Sequence, residues 1–222
     1  AQIYFTAWQA VPLISVLALG SGTLVIMQAT SQLNVLGGTK MIGQLLVMIV
    51  IRELGPLLTA LIVIARSGTA VASELGTMKI NKETEALEAL GIHPLSYIVF
   101  PRLLGGIISV LSLAVFFNFV AIMGGYLFSR VVLDIPFHFY FDSLSAALTL
   151  EDVGIFLLKN TFSGTIIFIV CCYQGLSVKQ SPHEVPQVTM KAVVNSIIYV
   201  MTFNFAVTAI YYFSTLKNLG LI

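Results

Sequence analysis

From Leu103 to Ser129 the chain runs for 27 residues without a charged side chain. About 20 mostly apolar residues are enough for a helix to cross the hydrocarbon core of a bilayer, so this stretch predicts a transmembrane helix. The pattern recurs along the sequence. No charge precedes Lys40, and the densest apolar part there, about 8–29, predicts a first span. A second, about 42–72, carries Arg52, Glu53 and Arg66 within it. The run 103–129 is the third. Val153–Leu158 joined to the uncharged Asn160–Val178 gives a fourth, 153–178, and the charge-free 192–216 a fifth.

Composition agrees with that count. Only 9% of residues are charged and 58% are hydrophobic, against roughly 25% charged in soluble domains. Mean hydropathy is +0.97. The expected fold class is therefore all-α: a polytopic integral membrane protein with five transmembrane helices in a single domain over 1–222. A net charge of +1 with no basic, aromatic-interleaved patch argues against a nucleic-acid partner. The opening AQIYFTAWQ lacks a starting Met and the pattern of a cleaved signal, so a preceding N-terminal stretch is expected to be missing. Gly20/Gly22, Gly105/Ser109 and Gly125/Ser129 offer small residues for close helix packing.

Between the second and third spans lies a polar island, Ser73 to Arg102, which holds four of the ten acidic residues and three of the eleven basic ones. Asn81 is placed to cap a short helix at 82–90, with Glu83 and Glu85 in its first turn, where carboxylates suit the positive end of the helix dipole. Gly91 is a natural left-handed terminator and Pro94 prevents continuation. Ala86, Leu87 and Leu90 are expected on one apolar face. A helix this short is marginal alone in water. Its stripe should pack on the span ends or on a soluble partner. Placing the island in the cytoplasm puts five cations there, with the 177–191 loop, against Lys40, Arg130, Lys159 and Lys217 on the other side. The positive-inside rule favours that sense.

Arg52-Glu53-Leu54-Gly55-Pro56 is the second segment of interest. A charged pair inside a span is expensive and marks a cavity or pathway, and Pro56 removes a backbone donor and should kink or interrupt the helix. Charge of both signs beside apolar walls suits a phospholipid, with Arg52, Glu53, Leu54 and Pro56 as its contacts. The alternative is that Arg52 and Glu53 pair locally near the outer boundary and hold two helices together. Arg66 reads as an interfacial cation near the cytoplasmic face. Cys171 and Cys172 are adjacent in an apolar run and read as packing residues. His138 and Asp142, four apart in FHFYFD, would share a helix face in aromatic boundary sequence, without the further ligands of a metal site. His93 reads as a hydrogen-bonding group at a helix end, and His183 as a loop residue. No G-x-x-x-x-G-K-[ST] run, nucleophile turn or H-E-x-x-H helix occurs, so the chain has no foothold for nucleotide hydrolysis or other catalysis of its own.

Several of these residues form one pattern. Glu53-Leu54-Gly55-Pro56, Ala65-Arg66, Glu74-Leu75-Gly76-Thr77-Met78, Glu83 with Ala86, Leu87, Gly91 and Pro94, and the closing Pro101-Arg102 resemble the signature region of the MlaE family of ABC-transporter permeases. The resemblance implies a homodimer in the bacterial inner membrane, bound to cytoplasmic ABC ATPase subunits and to a periplasmic MCE-domain protein, and moving phospholipid between inner membrane and outer envelope. ATP and Mg would sit on the partner ATPase, with no cofactor in this chain. The helix 82–90 would couple the two, through Glu83, Glu85, Ala86, Leu87, Leu90 and Gly91. The family's N-terminal amphipathic helix is not found in this sequence. The competing expectation is a stand-alone secondary transporter or channel that uses Arg52 and Glu53 as its substrate or ion site.

Overall fold

A computed structural model of the chain describes residues 10–36, 42–179 and 181–218. The described residues contain helices and connecting turns, with no strand among them. Helix α1 is Val11–Leu36. Helix α2 is continuous from Ile42–Leu46 through Val47–Leu54, Gly55–Val63 and Ile64–Gly68 to Thr69–Ile80. The short α3 is Glu83–Ala89, and α4 runs through Leu95–Val99 into Phe100–Leu133. Helix α5 is Phe137–Ala147, α6 is Leu150–Leu176 and α7 is Glu184–Asn218.

Five of these are long and apolar enough to cross a membrane: Val11–Thr30, Gly43–Ile80, Leu95–Val132, Leu150–Leu176 and Glu184–Lys217. The expected number of spans is met, but the helices are longer than their apolar runs. α2 continues past Ala72 to Ile80, α4 begins at Leu95, and α7 begins at Glu184. Charged residues such as Glu74, Lys79 and Arg102 mark where the apolar run ends, and they are good helix formers that let the backbone continue. Trp8 and Gln9 of the first expected span, and Lys40, lie outside the described residues.

The long helices bundle around α2 and α6, whose most apolar stretches are half buried, 56% and 50%, against 22% for α1 and 17% for α7. α1 lies against α4 at very close range. A Cβ built on Gly22 would come within 2.0 Å of the Ala121 carbonyl oxygen, so no side chain fits there. Gly125 serves the same seam beside Ile26, whereas Gly20 faces nothing within 4 Å and takes no part. Close approach of small residues replaces the hydrophobic drive that is missing between helices in lipid.

Two local features differ from expectation. The sequence FHFYFD belongs to an eleven-residue helix, α5, fixed by Tyr126, Phe137, Tyr140 and Phe141, which meet ring to ring. The buried Tyr140 hydroxyl donates to the Ile122 carbonyl at 3.0 Å, and burial pushes its phenol well above the ordinary value. In α2, Pro56 does not break the helix. The turn before it, Val47–Leu54, widens to the π spacing, and Gly55 N–H donates to Val50 five residues back. Pro56 then occupies the first turn of the next segment, where no donor is needed.

Candidate functional site

Lysine, arginine and carboxylate side chains are costly in hydrocarbon unless they find opposite charge and hydrogen bonds. The wide turn of α2 exposes such a pair, Arg52 and Glu53, and the fold supplies both with partners from α6. Arg52 Nε donates to Asp152 Oδ1. Lys159 Nζ donates to Glu53 Oε1 at 2.9 Å. The two residues are therefore paired, though not with each other as the local alternative supposed. Asp152 is fully buried and Lys159 is 1% exposed, while Arg52 and Glu53 keep 16% and 31%.

Each buried partner is itself held. Asp152 is the third residue of a capping box at the start of α6: its Oδ2 accepts from Thr149 N at 2.9 Å and from Thr149 Oγ1 at 2.8 Å. Lys159 Nζ spends its other two donors on the Arg52 carbonyl, 2.9 Å, and Thr208 Oγ1 of α7, 2.7 Å. Thr208 Oγ1 also lies 3.0 Å from Glu53 Oε1 and 3.0 Å from the Asn204 carbonyl. The Tyr211 ring lies under the guanidinium, 5.0 Å from its central carbon. One turn inward, Asn204 Nδ2 donates to Ser163 Oγ at 3.0 Å. The network thus joins α2, α6 and α7 through four charges that cancel.

Of the other expected contacts, Leu54 is half-buried, and Pro56 is buried behind it. Along the same α6–α7 seam, Phe162 stacks on Phe203 at 5.5 Å. Beyond that pair a shallow apolar groove of about 460 Å³ runs between Ile166, Ile169 and Val170 on α6 and Tyr199, Thr202 and Phe203 on α7.

Lys159, Asp152, Thr208 and Tyr211 were not singled out from sequence. Lys159 falls within the expected fourth span yet counts with the outer-side cations in the positive-inside comparison, and its burial inside α6 removes it from that tally. The available signal was the separation of Asp152 and Lys159. They stand seven apart, two helical turns, and so present opposite charges on one face to match Arg52 and Glu53.

At the far end of α2, about 40 Å along its axis from Arg52 at 1.5 Å per residue, sits α3. It covers Glu83–Ala89, one residue shorter at each end than expected. Asn81 is not its cap. Asn81 closes α2 instead, Lys82 turns the chain with φ +57°, and the Asn81 amide only reaches Glu83 Oε1 at 3.2 Å. The C-terminus follows expectation. Gly91 has φ +77°, its N–H bonds Glu88 O and Ile92 N–H bonds Leu87 O, each at 2.9 Å, which is the Schellman arrangement. Thr84 is buried and Leu87 half-buried against the chain's own core, whereas Leu90 is 75% exposed. Leu87 and Leu90 therefore divide between the chain itself and the surroundings. Glu83, Glu85, Ala86, Glu88 and Gly91 also face outward. Arg102 Nη2 bonds Glu74 Oε1 at 2.8 Å and clasps the two ends of the island together.

His138 Nδ1 and Asp142 Oδ2 meet at 2.7 Å on the exposed face of α5. The hydrogen bond to Asp142 and its negative charge raise the His138 pKa above the usual histidine value. No cluster of three metal-ligating side chains occurs among the described residues.

Compared with known proteins, residues 1–210 match the family described as Permease MlaE. A probable ABC transporter permease protein of Rickettsia prowazekii is 31% identical over 95% of this chain and 82% of its own length. A probable ABC transporter permease protein of Synechocystis is 32% identical over 83% of this chain and 70% of its own. The intermembrane phospholipid transport system permease protein MlaE of Haemophilus influenzae is 27% identical over 76% and 65%.

Proposed function

The chain belongs to the MlaE permease family, and from that premise we propose that it is the membrane subunit of an ABC-type phospholipid transporter, driven by ATP and Mg on a separate cytoplasmic ATPase. The observation that carries this reading is α3. It is a rigidly terminated helix between two spans, with Leu90 laid bare beside Glu83, Glu85 and Glu88, in a sequence without a nucleotide-binding loop. Such a knob fits a groove that offers an apolar pocket and cations. Ala86 and Gly91 let the partner backbone approach, and Leu87 anchors the helix to its own chain.

Phospholipid as cargo is supported by the name of the Haemophilus relative, an intermembrane phospholipid transport system permease, and by the geometry of the α6–α7 seam. Arg52 and Glu53 form the polar end for a headgroup, with Leu54 as an apolar contact beside them and Pro56 shaping the turn behind, and the groove beyond Phe162 and Phe203 accepts an acyl chain. The lightly buried α1 and α7 leave faces for a second copy of the chain and for an MCE-domain protein on the side opposite α3. The bacterial inner membrane is the matching location.

The test is a pull-down from native membranes. Leu90→Asp should abolish co-purification of the ATPase while the protein still inserts. Leu87→Asp should instead lower the yield of folded permease. Undiminished ATPase recovery with Leu90→Asp would remove α3 as the docking element. Lipid movement by the purified chain without any ATPase would favour the stand-alone carrier.

A further inference from the structure

Building on the headgroup reading of Arg52, we propose that Asp152 is a positioning residue that holds the Arg52 guanidinium by Nε, so that its two Nη groups face a lipid phosphodiester. The Asp152 carboxylate cannot turn. It is fully buried, Oδ2 is taken by both Thr149 donors, and Oδ1 receives Arg52 Nε. Arg52 is steadied from two further directions, by Lys159 on its carbonyl and by the Tyr211 ring beside the guanidinium. Three helices thus fix one cation.

A guanidinium carries five N–H donors in a planar fork. Only Nε is given to Asp152, and neither Nη finds a protein acceptor among the described residues. The Nη1/Nη2 edge is the one that matches two phosphate oxygens side by side. Neither Lys159 beside it nor Arg102 at the opposite end of α2 has this property. Lys159 has all three donors spent and is 1% exposed, and Arg102 gives an Nη to Glu74. Among these three cations Arg52 alone, 16% exposed, keeps a whole fork edge unspent. Asp152 is the group that orients it, since a charge-assisted bond to Nε sets the plane of the fork.

The experiment uses the permease purified with its partners and titrated with two short-chain probes, dioctanoyl phosphatidylglycerol and dioctanoylglycerol, which differ by the phosphodiester headgroup. The ratio of their affinities is the readout, because a purely structural loss would weaken both alike. Asp152→Asn, which retains a capping oxygen for Thr149, should lower the ratio about tenfold with dioctanoylglycerol binding unchanged. Asp152→Glu should recover part of it. Tyr211→Leu leaves the buried carboxylate intact and should lower the ratio about threefold, which keeps the idea testable should Asp152→Asn fail to accumulate. Equal weakening of both probes by Asp152→Asn would reduce Asp152 to a staple between helices and overturn the inference. An unaltered ratio in Asp152→Asn, with the preference lost in Arg52→Ala, would overturn this inference alone. A preference that survives Arg52→Ala would overturn the headgroup reading itself.

Discussion

Replacing Lys159 by Met probes the network where it is most buried. The ammonium donates three bonds, 2.9 Å to Glu53, 2.9 Å to the Arg52 carbonyl and 2.7 Å to Thr208. Removing it orphans the Arg52 carbonyl, at about 1 kcal/mol. Thr208 loses little, because its hydroxyl proton still has an acceptor in either Glu53 or the Asn204 carbonyl. Breaking a buried pair costs ~3–5 kcal/mol, but Glu53 is 31% exposed, so water recovers part of that. The expected total for Lys159→Met is about 3 kcal/mol. Glu53→Gln keeps an acceptor for Lys159 and should cost about 2 kcal/mol. The double variant holds no unpaired charge and should remain near 2 kcal/mol, giving a coupling of about 3 kcal/mol. Reversible unfolding in mixed micelles with rising SDS fraction, followed by near-ultraviolet circular dichroism, measures all three. A double variant that falls near 5 kcal/mol, the sum of the singles, would show that the pair contributes nothing as a pair and refute the argument.

Further outcomes follow from other parts of the fold. Gly22→Val must push α1 away from α4, since the Cβ alone would lie 2.0 Å from a backbone oxygen; it should cost at least about 2 kcal/mol and lower the yield of folded protein, whereas Gly20→Val should be tolerated. For His138, the Asp142 carboxylate raises the folded pKa, so the pairing contributes fully below the unfolded value near ~6.5 and fades as pH rises through the raised folded value. Asp142→Asn should return the His138 titration to the ordinary range, read by NMR of the ring nitrogens; an unmoved midpoint would mean the pair does not persist in solution.

The helical class and the five spans were legible because uncharged runs of membrane length have one reading. Gly91 was legible for a similar reason, as the turn after α3 demands a positive φ. Asn81 misled, since a good capping side chain also suits the end of the preceding helix, and Lys82 supplied the turn. The partners of Arg52 and Glu53 were hidden because Asp152 and Lys159 sit 100 or more residues away, and a charge near the end of an apolar run looks the same whether it faces water or another helix. α5 was read as boundary sequence because its helix depends on packing against Tyr126, which no local pattern announces.

The wide turns of α2 set the phase of the whole molecule. A π segment accommodates one residue more than α spacing would allow, and so rotates everything beyond it by about 100° around the axis. With Val47–Leu54 and Ile64–Gly68 both drawn this way, the N-terminal half of α2 offers its charges to α6 and α7, and its C-terminal half still meets Cys171 and Val185 through Gly68 and Gly76. A single-residue deletion in either segment would restore ordinary winding and turn the two halves of the helix out of step, so that charge pairing at one end and close packing at the other could no longer be satisfied together.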